Sequence, residues 1–79
     1  MKEKYTPLQG QYLAFIYYYS KIHGCAPAEA DLEQYFKVAF SSIHQMILTL
    51  ERRGLIARIP GEARSIRVLL SYEELPELK

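Results

Sequence analysis

The chain has 79 residues, which allows one domain and no more. Hydrophobic residues make up 49% and charged residues 24%, a balance that excludes a disordered chain, and no run reaches the roughly 18 apolar residues of a membrane span. The net charge of +1 does not by itself indicate a polyanionic partner.

Thr6-Pro7 opens the first expected helix. Thr can cap, and Pro is tolerated at the first position because its missing N–H would be unpaired there. Leu8, Tyr12, Phe15, Ile16, Tyr19 and Ile22 recur at helical spacing and predict a helix to about His23. Gly24 ends it, and Pro27 prevents its continuation. A second, short helix follows Pro27 and ends near Lys37, with Leu32, Tyr35 and Phe36 as its apolar stripe and Glu29 and Asp31 at the positive end of its dipole. Val38-Ala39-Phe40 is read as a connection.

The third helix is expected from about Ser41, with Ser42 and Gln45 at the spacing of a capping box. Ile43, Met46, Ile47 and Leu50 face the core, and Gly54 supplies the left-handed turn beyond the helix. The period then changes. Residues 55–59 and 65–70 read as two strands around the turn Pro60-Gly61-Glu62-Ala63. Alternation puts Ser65 and Arg67 on one face and Ile66 and Val68 on the other. Residues 71–79 are acidic and are expected to fray. The fold class is therefore mainly α with a small β-hairpin: a winged helix-turn-helix of three helices and a two-stranded wing. It is one domain over 1–79 with a core over about 6–70. A helix of this kind fits the major groove of DNA, and a hairpin beside it can lie along the backbone.

Charge is unevenly placed. Residues 1–36 carry a net −1, residues 37–70 a net +4 and residues 71–79 a net −2, and all five arginines lie between 52 and 67. A polyanion reader needs such a cluster, although a solvated basic surface has the same composition. Cys25 is the only cysteine, so no intrachain disulfide forms, and with His23 and His44 it falls short of a structural zinc site. No nucleophile–His–carboxylate set or phosphate-binding glycine loop is present. A non-enzyme is expected, with no metal, cofactor or small-molecule effector. Met1-Lys2-Glu3-Lys4 leads into polar sequence without the apolar core of a secretion signal, and the expected compartment is a reducing cytoplasm.

Thr6-Pro7 to Ile16, Gly24-Cys25-Ala26-Pro27, Ile43 to Leu50, Glu51-Arg52-Arg53-Gly54-Leu55-Ile56 and Pro60-Gly61 to Leu69 resemble the N-terminal DNA-binding domain of LexA repressors. The most specific part is Thr49 to Ile56 followed by Pro60-Gly61-x-Ala63-Arg64-Ser65-Ile66-Arg67. The resemblance implies sequence-specific binding of double-stranded DNA by a transcriptional repressor, with helix three (about 41–53) in the major groove and the wing (about 56–69) on the backbone. By position it assigns base contacts to Ser41, Ser42, His44 and Gln45. Backbone contacts fall to Lys37, Thr49, Arg52, Arg53, Arg58, Arg64, Ser65 and Arg67. The chain departs from the family at Ala28, where a capping Ser or Thr is usual, at Lys37 in place of Gly, and at Ala39-Phe40 in place of Ser-Pro. LexA repressors carry a second, self-cleaving domain with a Ser-Lys centre. Seventy-nine residues leave no room for it, so a stand-alone DNA-binding domain is expected.

Tyr17, Tyr18 and Tyr19 cannot share one buried face, because neighbours on a helix are about 100° apart. A homodimer interface using Leu13, Tyr17 and Tyr18 is the favoured reading, and shielding by the tail near Leu75 and Leu78 is the other. Two further readings compete with a stand-alone repressor. One is a protein-interaction winged helix within a larger assembly, and the other is a DNA-binding fragment of a longer protein or a partner or antagonist of a full-length repressor.

Overall fold

The computed structural model describes residues 4–79; Met1, Lys2 and Glu3, which entered the N-terminal charge count and the secretion-signal reading, lie outside the described residues. The element order is α1 (Pro7–His23), α2 (Glu29–Phe36), α3 (Phe40–Arg52), β1 (Ile56–Ala57), β2 (Arg67–Val68) and a 3-10 turn at Tyr72–Glu74. This is the expected winged helix-turn-helix. Among the described residues no helix is long and apolar enough to cross a membrane.

α1 begins at Thr6 with a full capping box. Thr6 Oγ1 accepts the Gln9 N–H at 3.1 Å, and Gln9 Oε1 accepts the Thr6 N–H at 3.0 Å. It ends at Gly24, whose φ of 75° is left-handed. α2 has no side-chain cap at Ala28, but Asp31 Oδ2 accepts the Ala28 N–H at 2.8 Å and supplies half of the missing box. α2 stops at Lys37, which takes φ 58°, the left-handed conformation that favours glycine.

α3 starts at Phe40, with Ala39 as its uncapped N-terminal flank. The expected capping box of Ser42 and Gln45 is therefore corrected: Ser42 already lies inside the helix, where its N–H bonds to Ala39 O. At the other end Leu55 N–H bonds to Leu50 O and Gly54 N–H to Glu51 O, closing a Schellman motif around Gly54 at φ 76°. The wing is shorter than expected: among the described residues the strands pair Ile56 with Val68 and Ala57 with Arg67, and the Leu69 N–H adds a bond to Leu55 O at 3.0 Å.

The core joins Tyr12, Leu13 and Ile16 of α1 to Leu32 of α2, Ile43, Ile47 and Leu50 of α3, and Leu55, Ile56 and Ile66 of the wing. Phe36 stacks on Tyr12 with ring centroids 4.1 Å apart. The stripe expected on α1 is rotated. Leu8 and Ile22 are 55% and 75% exposed, Tyr35 of α2 is also exposed, and Gln9, Tyr12, Leu13 and Ile16 form the inward row. A row at i, i+3, i+4 and i+7 is the helical signature, but its polar first member, on a helix apolar on several sides, hides it. Leu13 is 0% exposed within one chain, so it is removed from the expected dimer interface: a side chain fully packed in its own core has no surface to offer a partner.

The tail also departs from expectation. It does not fray but folds back along α1. The Tyr5 hydroxyl donates to Glu74 O, the Gln11 side chain holds Glu77 O at 2.9 Å and the Lys79 N–H at 2.8 Å, and Tyr35 donates to Lys79 O at 2.7 Å.

Candidate nucleic-acid interface

α3 is amphipathic, and burying Ile43, Ile47 and Leu50 dictates what it shows to solvent. Ser41, Ser42 and Gln45 are exposed and His44 is half-buried. Ser41, Ser42 and Gln45 share a shallow depression of about 500 Å³ with Met46, Thr49 and Gln9 of α1. His44 lies on the other flank, toward the wing. It lines a cleft of about 440 Å³ with Phe40, Glu29, Arg58 and Arg64, and its Nδ1 stands 3.4 Å from Glu29 Oε1. The four expected base-reading residues thus divide into an open polar row of three and a flanking imidazole paired with an acid.

The expected backbone residues also divide. Among the described residues the side chains of Lys37, Arg52 and Arg67 have no hydrogen-bond or ion-pair partner and are exposed. Arg53 donates to Gln9 Oε1 at 3.3 Å and to Lys4 O at 3.2 Å, joining the end of α3 to the start of α1. Arg58 Nε donates to Glu51 Oε1 at 3.0 Å, tying β1's end to α3. Arg64 takes a left-handed φ of 57° and reaches back to the helix-turn-helix. Its Nη1 donates to Asp31 Oδ2 at 3.1 Å, Ala26 O at 3.2 Å and the Tyr19 hydroxyl at 3.3 Å. The Ala28 N–H first, and the Arg64 guanidinium after it, hold the Asp31 carboxyl below the usual carboxylate range.

Two hydroxyls are engaged locally. Thr49 Oγ1 donates to Gln45 O at 2.9 Å, inside its own helix. Ser65 Oγ accepts the Ile59 N–H at 2.9 Å and sits 2.9 Å from Glu62 O, closing the wing turn. A hydroxyl has one hydrogen to give, so neither has a free donor for a phosphate in this conformation.

Gln9 escapes the sequence reading. It is buried, caps α1, receives Arg53 and floors the depression beside Ser42 and Thr49. The Thr6-x-x-Gln9 spacing of a capping box was the available signal. Tyr17 and Tyr18 are half-buried, and Tyr72 of the tail lies over them with centroids at 5.4 and 6.3 Å.

The family model described as LexA DNA binding domain matches residues 2–65, a stretch that holds all three helices and the wing turn. The chain belongs to the LexA DNA-binding-domain family. It is similar to two proteins named LexA repressor. One, from Thermosipho melanesiensis, is 32% identical over 73 residues, covering 92% of this chain and 37% of the relative. The other, from Thermosipho africanus, is 36% identical over 69 residues, covering 87% of this chain and 34% of the relative. The chain thus spans about a third of the length of these LexA relatives.

Proposed function

We propose that the protein binds double-stranded DNA sequence-specifically and represses transcription by occupying promoter DNA. α3 enters the major groove, and Ser41, Ser42, His44 and Gln45 meet base edges. Gln45 suits a bidentate pair with adenine, and a serine hydroxyl serves any base. Lys37, Arg52 and Arg67 contact phosphates directly. Arg53, Arg58, Arg64, Thr49 and Ser65 act on the backbone-binding surface mainly by fixing the wing and the end of α3. The observation that carries this reading is the open row Ser41, Ser42 and Gln45 on a helix whose opposite face is fully buried, with unpartnered cations in the same segment. A homodimer in the cytoplasm, meeting through the part of the Tyr17 and Tyr18 face that Tyr72 leaves open, would match a palindromic site and gain affinity by linkage.

Selection of genomic fragments by the purified chain at near-physiological salt tests the reading. Enrichment of an inverted repeat is the expected outcome, and its spacing reports the dimer geometry. Gln45→Ala should change the preferred sequence, whereas Arg67→Ala should weaken all sequences alike and lower the salt slope by about one. Equal effects of both variants on every sequence would remove α3 as the reader. No retention of DNA at all would favour the protein-interaction role.

A further inference from the structure

Phe40 is the large apolar side chain of the otherwise polar tip of α3. It is the helix's first residue and is 54% exposed, next to Ser41 and Ser42. Side chains on a helix lean toward its N-terminus, so a ring at the first position projects past the end that meets base edges. The ring borders the wing-side cleft together with His44. It lies nearly parallel to the His44 imidazole one turn on, with an interplanar angle of 13° and centroids 6.2 Å apart. His44 in turn faces Glu29 at the start of α2 through Nδ1. The row Glu29–His44–Phe40 therefore runs from α2 to the tip of α3 and ends in an aromatic face rather than a donor or acceptor.

Base edges in the major groove display donors and acceptors, with one apolar exception, the 5-methyl group of thymine. An exposed ring held at the reading end of a recognition helix has that group as its apolar complement. We propose that Phe40, flanked by His44, is a specificity-determining contact that selects thymine through its methyl group. The proposal rests on the reading of α3 as the DNA-reading helix and extends it to a residue outside the polar row.

The test uses the intact chain and the duplex it selects. Each thymine in turn is replaced by deoxyuridine, which removes the methyl and keeps the pairing. At one or two positions the parent chain should lose about three- to fivefold in affinity, the size expected for one buried methyl. At those positions Phe40→Ala should bind the thymine and uracil duplexes equally. Phe40→Gln, which keeps bulk and replaces the apolar ring by an amide, should lose the preference too, so the result does not depend on one variant folding. Equal binding of thymine and uracil duplexes at every position would overturn the proposal and leave α3 as the reader. So would a selected site without thymine, or full methyl preference retained in both variants. A chain that selects no duplex would overturn both readings together.

Discussion

Gly10 shows how one missing atom positions a segment of the chain 66 residues further on. A Cβ there would stand 2.7 Å from Tyr5 Cε1 and 2.9 Å from Pro76 Cγ. Alanine ordinarily favours a helix over glycine by about 1 kcal/mol. Here the Tyr5 ring is tied by its hydroxyl to Glu74 O and cannot swing away freely, so overpacking wins. Gly10→Ala should destabilise the fold by about 1–3 kcal/mol, or roughly 4–8 °C in melting temperature per kcal/mol. Thermal denaturation followed by circular dichroism checks this, and a variant melting at or above the parent would contradict packing of the tail on α1. Arg64 is the other instructive residue. From its charge and position the sequence led to the expectation of a phosphate contact. Its bonds to Tyr19, Ala26 and Asp31 were not legible, because local pattern carries no distance between residue 64 and the loop before α2.

The same division holds for the elements. α3 was legible because its buried residues, Ile43, Ile47 and Leu50, lie in one narrow row at helical spacing. α1 was legible in extent but not in face, since apolar residues surround it and the inward row begins with Gln9. The α2–α3 turn holds a tractable weakness. Lys37 sits at φ 58°, where a Cβ is penalised and glycine is not. Lys37→Gly should stabilise the fold by about 0.5–1 kcal/mol net of glycine's greater unfolded-state freedom. The same substitution removes a proposed phosphate contact, so the salt dependence of DNA binding should become shallower by about one ion. Urea denaturation and a salt series measure the two halves separately. A stabilised variant with an unchanged salt slope would remove Lys37 from the phosphate set, whereas a destabilised one would mean that the lysine has a role in the fold itself.

At the scale of the whole molecule, the tail and the N-terminus are joined by an ionic clasp. Glu74 pairs with Lys4 and accepts the Ser71 N–H at 3.0 Å and the Ser71 hydroxyl at 3.1 Å. Lys4 first, then Ser71, hold its carboxyl down to about 2 from an ordinary value of 4.5. The folded-state value lies below the unfolded one, so the contribution to stability is complete above the unfolded pKa and is lost as pH falls toward about 2. The melting-temperature gap between the parent chain and Glu74→Gln should therefore narrow between pH 5 and pH 2.5. A gap that stays constant over that range would show that the Glu74 charge does not hold the clasp. The acidic tail lies beside α1, and the basic segment 37–70 holds α3 and the wing, so the charge asymmetry of the sequence becomes an asymmetry between parts of the fold.

Sequence alone determined the order of helices and hairpin, the left-handed glycine ends after α1 and α3, and the buried row of α3. Each follows from short-range physics: a capping oxygen, a residue tolerant of positive φ, or a 3.6-residue period. Only the tertiary structure decided which face of α1 is inside, that Leu13 belongs to the core, that the tail binds α1, and which arginines already have partners. Those outcomes depend on contacts between residues far apart in the chain, where the nearest polar atom or apolar surface, rather than local propensity, sets the free energy of each side chain.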